Sequence, residues 1–497
     1  MAGGGKRKAT HWAARRKQKQ ARAAAGSEED AAKKKSDRGD RREGFSETIH
    51  PGSYAAARAR EEPAPEPKPA SPFPKRRYGI WVAFCGKEYS GMQMNEGVQT
   101  IEAELERALF EAGAIAESNY GFLQKVSGGR IGWSRAARTD KGVHAAGQLM
   151  TAKLHVGDDL QAFMAKVNEA LPADIRVMHM VTVTKNFNAK MSCDQRTYEY
   201  LAPTFIFGKR ARPMAADEAK ATEEREAGVH DSEDGFDSNL IIDASTLARH
   251  QQFRLSDETF ERINETLKLF EGTHNFHNFT SKLEPKSPKC LRFIISFAAD
   301  RPFVQNNMEW IRLRVVGQSF LLHHIRKMIG MAVEVVAGVT DASTISRATE
   351  LEKMDLPKAP SVGLYLAQAH FEVYNTKMQD SIQVSHPPLT LDDPDVAQKV
   401  EQFKHDFIFE HIIKHEEATR TYAKWLRTLE LLPFGYVSQS YAEWKAEKEE
   451  EAKQPNRAAK LEAAKAALIA KQPPPAAVSA ATEAASAPTA SSTTTDS

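Results

Sequence analysis

The stretch Ser134–Gln148, SRAARTDKGVHAAGQ, decides how this chain is read. It gathers Arg135, Arg138 and the carboxylate of Asp140 around a turn at Gly142. Arginines so placed suit contacts with phosphate oxygens, or the displacement of a base from its stack. Gly142 gives the backbone access to positive φ, and Val143 and Ala145 suit an extended strand straight after the turn. A carboxylate is an odd neighbour for phosphates. Asp140 therefore either caps a turn and joins a surface ion pair, or performs chemistry. The bare tripeptide RTD favours the first reading; the longer string favours the second, with Asp140 as the catalytic carboxylate.

Three further blocks follow in order. VNEALPADIRV (Val167–Val177) leads to FNAKMSCDQRTYEY (Phe187–Tyr200), then come GQSFLLHHIRKMIG (Gly317–Gly330) and APSVGLYL (Ala359–Leu366). Together with the opening stretch they resemble the TruA family of tRNA pseudouridine synthases, over roughly Lys75 to Tyr374 less one insert. ARTDKGV, FNAK and GTHNFHNFT (Gly272–Thr280) resemble its eukaryotic, fungal-type tRNA pseudouridine synthase 1 branch. The resemblance implies an α+β fold, two ferredoxin-like halves forming one continuous antiparallel sheet flanked by helices. It implies Asp140 as nucleophile, Arg326 as its partner, and Tyr198 as the ring that stacks the uracil and relays the C5 proton. Arg138 would help flip the uridine, Arg135 and Arg196 would contact the RNA, and Leu364 would line the uridine pocket. Attack on C1′ and removal of a sugar proton to give a glycal both remain open. One departure stands in YGIWVAFCGKEYSGMQ, where Cys85 replaces an aspartate of many bacterial members. That change bears on turn geometry, not chemistry.

The bulk numbers look unpromising for an RNA enzyme: 68 Lys plus Arg against 66 Asp plus Glu gives a net charge of only +2 in 497 residues. The charges are segregated, however. KRK, RRKQK and KKK crowd the first 35 residues, while 209–239 is acidic and poor in apolar side chains. Neither segment can bury enough surface to fold alone. The basic clusters read as signals for nuclear import machinery, which puts the protein in the nucleus; an Arg-rich mitochondrial presequence is the alternative. Three scattered cysteines, Cys85, Cys193 and Cys290, form no CxxC pair, and no apolar run is long enough to span a bilayer.

The expected organisation is a disordered basic tail over 1–74, a first catalytic half over 75–208, the insert over 209–239, and a second half over 240–375. A helical extension over 376–450 and a low-complexity tail over 451–497 complete it. Strands are expected at Tyr78–Phe84, near Ile131–Trp133 and over Gln148–Leu154, with a helix capped by Thr100 and another carrying Leu160, Phe163, Val167 and Leu171. The second half should hold a helix capped by Ser256, strands near Cys290–Ala298 and Trp310–Val316, and a helix over Phe320–Ala337. In the extension Pro394 starts a helix whose face is Val396, Val400, Phe403, Phe407 and His411. Moving a uracil from an N1 to a C5 link needs no cofactor. His274, His277, His323 and His324 lack cysteine partners and regular ligand spacing, so a structural zinc is a minor option beside core histidines. The partners expected are tRNA, with small nuclear and messenger RNA as further substrates, and a monomeric state. Two other readings stand beside this one: a catalytically silent RNA-binding tRNA chaperone, and a hydrolase with paired carboxylates. The second needs another acid near Asp140, where the motif supplies arginines.

Overall fold

A computed structural model describes residues 73–95, 97–121, 131–211, 236, 238–281, 283–380 and 386–436, with 443 and 446. The expectations for the basic tail, most of the acidic insert and the low-complexity end lie outside the described residues.

Strand β1 (Lys75–Phe84) leads to α1 (Ile101–Glu111), whose first turn is capped by Thr100 accepting from the Ala103 N–H. Ile101, Leu105 and Leu109 lie on the buried side of α1, as their helical spacing requires. The short β2 (Ser134–Arg135) precedes the Asp140 loop, and β3 (His144–His155) follows it. Next come α2 (Leu160–Ala170), capped by Asp159, then β4 (Ile175–Thr182), the one-turn α3 (Ala189–Ser192) and β5 (Gln195–Pro203).

Helix α4 (Ala244–Gln252), which the apolar pattern did not reveal, opens the second half, and Ser256 caps α5 (Asp257–Lys268). The strands β6 (Gly272–Asn275), β7 (Leu291–Ala299), β8 (Phe303–Gln305) and β9 (Met308–Gly317) then run to α6 (His324–Val336). Helix α6 starts later than expected because His323 takes a left-handed conformation, φ 62°, and breaks the run from Phe320. A short α7 (Ser343–Ala348), β10 (Leu364–His370) and α8 (Glu372–Gln379) finish this half.

Among the described residues the strands form one sheet in the order β4-β1-β3-β10-β5-β9-β7-β6, with β2 on β3 and β8 on β9. It is not wholly antiparallel as expected: β10 lies parallel to β3, pairing Tyr365 with His144 and Leu366 with Ala145. Strand β5, expected to belong with the first half, pairs with β10 and β9 instead. The seam between halves therefore runs through the strands that follow the Asp140 loop and the APSVG segment.

The extension is α9 (Pro394–Phe403), a π-helical turn (Lys404–Phe409), α10 (Glu410–Thr419) and α11 (Thr421–Leu431). The π-turn inserts an extra residue and rotates the face. Val396, Val400 and Phe403 are buried as expected, but beyond them Lys404, Ile408, Phe409 and Ile412 point inward, leaving Phe407 and His411 half-buried.

Candidate active site

The loop Ala136–Val143 is held by its backbone from several sides. The Ala136 N–H donates to Leu149 O at 2.9 Å, and Thr139 O accepts from the Met92 N–H at 3.2 Å. The Gly142 N–H donates to Tyr89 O at 3.3 Å, and Val143 N closes the turn on Asp140 O at 3.2 Å. Gly142 sits at φ +77°, as the turn demands. The chain around Gly86 packs so tightly on this loop that a Cβ there would lie 2.3 Å from Val143 O.

Buried side chains complete the clamp. Gln148, fully buried in its strand, donates from Nε2 to Ala137 O at 2.9 Å and accepts from Ala137 N at 3.1 Å. His144 Nδ1 accepts from the Gly86 N–H at 2.9 Å, and burial pushes its pKa down to about 3. The ring is a neutral structural acceptor.

The arginines divide into two kinds. Arg135 grips Glu102 with Nε and, at 2.8 Å, with Nη2, while Nη1 donates to Gln93 Oε1 at 3.2 Å. Glu102, itself buried on α1, also accepts from Trp133 Nε1 at 2.9 Å and Met94 N at 3.0 Å. Arg196 bridges Ala136 O and Gln318 O, both at 2.9 Å, so it ties the Asp140 loop to the end of β9. These two were expected to contact RNA, and the structure gives both guanidinium groups protein partners. Arg138 and Asp140 are exposed, and among the described residues neither side chain makes a hydrogen bond or ion pair.

Tyr198 stands beside this loop. It packs against both hydrophobic cores and meets Phe320 edge to face at 5.2 Å. Burial pushes its hydroxyl up to about 12, opposed by Arg196 and reinforced by Cys193 and by the negative charge of Asp140, which is near enough to be felt. The phenol keeps its proton near neutral pH. Across the sheet Tyr198 pairs with Leu366 of β10, and Tyr200 pairs with the half-buried Leu364. Arg326, buried on α6, donates from Nε to Ala359 O at 2.6 Å, which joins α6 to the APSVG segment. The structure does not bring Arg326 onto Asp140, whose carboxylate makes no hydrogen bond or ion pair among the described residues.

The histidines weighed for zinc have other partners. His274 Nε2 bonds Glu271 O and His277 Nε2 bonds Glu352 O, each at 2.8 Å, while His324 is buried against Phe276 at 4.2 Å between ring centroids. Phe276 and Phe279 are core residues. Among the described residues no cluster of histidine, cysteine or acidic side chains is arranged to hold a metal ion. Gln148, Glu102 and the extension were not singled out in the sequence as parts of the site. The signal for Gln148 was there, a lone amide in the apolar run Ala145–Met150.

A carboxylate loop pinned at the seam of a doubled α+β sheet is the architecture of a pseudouridine synthase, and the chain belongs to the TruA family of tRNA pseudouridine synthases, isomerases that work on RNA. The family model for tRNA pseudouridine synthase matches residues 267–372. The chain is 36% identical over 394 residues to the pseudouridylate synthase 1 homolog of Mus musculus, spanning 78% of this chain and 81% of that one. It is 38% identical over 362 residues to the human pseudouridylate synthase 1 homolog, covering 71% and 73%. The tRNA pseudouridine synthase 1 of Saccharomyces cerevisiae is 33% identical over 388 residues, 69% of this chain and 70% of the yeast protein. No helix among the described residues is long and apolar enough to cross a membrane.

Proposed function

We propose that the chain isomerises uridines in and near the anticodon of tRNA, and uridines of small nuclear and messenger RNA, with Asp140 as nucleophile. The observation that carries this reading is the contrast within the loop: its backbone is fixed, yet Asp140 and Arg138 are exposed and unpaired beside Tyr198. Asp140 takes the sugar, by attack at C1′ or by removing a sugar proton, and the N1–C1′ bond breaks. The uracil, carrying the N1 electron pair, turns against Tyr198, and C5 bonds to C1′ as the Asp140–C1′ bond breaks or as the glycal takes its sugar proton back; the C5 proton leaves through the Tyr198 hydroxyl, which passes its own proton to solvent, and N1 takes up a proton. Arg138 fills the space the flipped uridine leaves, Leu364 lines its pocket, and Arg326 pairs with Asp140 once RNA is bound. No cofactor or metal enters these steps.

The test is tritium release from C5-labelled uridine in unmodified tRNA, wild type against Asp140→Asn at matched RNA occupancy. Release by wild type alone supports the reading. Release by the variant removes it, and tight binding without release by either protein moves the assignment to an RNA chaperone. The basic clusters support nuclear import and a nuclear location; a tagged full chain found in mitochondria would reverse that. The helical extension supports a monomer, which light scattering of the full chain checks.

A further inference from the structure

The extension reaches the uridine pocket from behind. Neighbouring residues of a strand face opposite ways, so where Tyr198 turns to the loop, Glu199 turns to the back of the sheet. Glu199 is 2% exposed, and its carboxylate collects partners from three elements. Arg314 Nε lies 3.1 Å from Oε1, while Lys404 Nζ at 3.2 Å and Arg312 Nη1 at 3.8 Å face Oε2, which also accepts from the Tyr365 hydroxyl. Glu401 and Asp300 close the outer ring on Lys404, Arg312 and Arg314, balancing three cations with three carboxylates. Burial on its own would push the Glu199 carboxyl up; Lys404 first, then Arg312, Tyr365 and Arg314, hold it below its usual value.

Lys404 is the first residue of the π-turn, and a regular helix would not point it and Phe409 at the same sheet. Phe409 packs on Tyr365 at 6.1 Å, and His411 meets His144 edge to face at 5.1 Å. Tyr365 lies between Leu364 and Leu366, and it pairs with Glu199 across β10 and β5. One buried carboxylate therefore fixes β5, β9, β10 and the extension to one another, directly behind Tyr198.

We propose that Lys404, aimed by the π-turn, is a positioning residue for the uridine pocket, acting through Glu199 and Tyr365 on the two strands that present Tyr198 and Leu364. This rests on the reading that the pocket at Tyr198 receives the uridine.

The test is single-turnover tritium release by the full chain on C5-labelled tRNA, with tRNA affinity measured separately. Lys404→Met should lose about tenfold or more in rate while its tRNA affinity stays within about threefold. The loss should shrink as pH rises from about 6 to about 8, because Glu199 without the cation that most favours its charged form takes up a proton at the low end. Lys404→Arg should restore the rate. Should Lys404→Met not accumulate folded, Tyr365→Phe removes one hydroxyl only and should slow turnover by about threefold or more. A wild-type rate in folded Lys404→Met or in Tyr365→Phe overturns the proposal. So does a loss that is flat with pH and merely follows the folded fraction. Wild-type protein that binds tRNA without releasing tritium overturns the reading of the pocket, and this proposal with it.

Discussion

Gln148 offers the sharpest test of how the loop is held. Replacing it with leucine keeps the volume of a fully buried side chain and deletes both bonds to Ala137, at 2.9 and 3.1 Å. Each such bond contributes about 1 kcal/mol net, so the folded state should lose about 2 kcal/mol. The cost stays that small because Ala137 is half-buried, and its freed N–H and C=O can turn to water. Turnover should suffer further. Ala137 lies three residues before Asp140, and re-ordering one or two backbone residues at each catalytic event costs about 1–2 kcal/mol apiece. The sum, about 1–4 kcal/mol, corresponds to a fall in kcat of about fivefold to a thousandfold, with KM moved by less than about threefold, since the RNA contacts remain. Urea melts give the first number and single-turnover tritium release the second. A variant that loses the stability but keeps wild-type kcat would refute the view that this amide sets the position of Asp140.

Two further perturbations separate other parts of the argument. Arg138→Ala should reduce the slope of log affinity for tRNA against log salt by about 0.7–0.9, the value of one phosphate contact, whereas Arg135→Ala should leave the slope unchanged because Glu102 already neutralises that guanidinium. Equal slopes for the two variants, measured by filter binding over a salt series, would remove the distinction between them. Glu416 is buried at the join of α10 and α11, accepting from Tyr422 N at 2.8 Å and Ala423 N at 3.4 Å. Burial raises its pKa from 4.5 to about 7 against those bonds, so between these values the native state holds a proton that the unfolded chain releases. Its contribution, about 3 kcal/mol, is whole below the lower value and is lost as pH rises through the upper one. Glu416→Gln should flatten that part of the stability–pH curve; an unchanged slope in urea melts at about pH 5 and about pH 8 would show that the proton sits elsewhere.

The sequence disclosed what is local or periodic. Thr100 and Ser256 are side-chain caps followed by apolar residues at helical spacing, and both start the helices expected of them. Features that depend on distant partners stayed hidden. The parallel join of β10 to β3 links Tyr365 with His144, residues far apart in the chain, and nothing in either strand states its partner. Helix α4 has a polar, wholly unburied sequence, so no apolar stripe marks it. The π-turn is invisible to a fixed 3.6-residue period, which is why Phe407 and His411 were assigned a face that Lys404, Ile408 and Phe409 occupy. At the site, Arg135 and Arg196 look in sequence just like Arg138. Only the fold shows that Glu102 and two carbonyls have claimed them.

That division of the arginines has a physical logic. A guanidinium that must hold a loop in place needs fixed acceptors, and Arg135 and Arg196 have them on both sides of the Asp140 turn. A guanidinium that must meet a phosphate or enter a base stack has to come without a partner, or breaking the internal pair would cancel the gain on binding. Asp140 follows the same rule. On the role proposed for it, an ion pair formed in the free protein would have to be broken before the carboxylate reached a sugar carbon, so an exposed, unpaired Asp140 on a rigid backbone leaves its interactions to be made with the substrate in place. Arg326 is of the first kind: joined to Ala359 O, it ties α6 to the APSVG segment. The loop is therefore finished in its backbone and open in its chemistry, the state expected of a site that RNA itself completes.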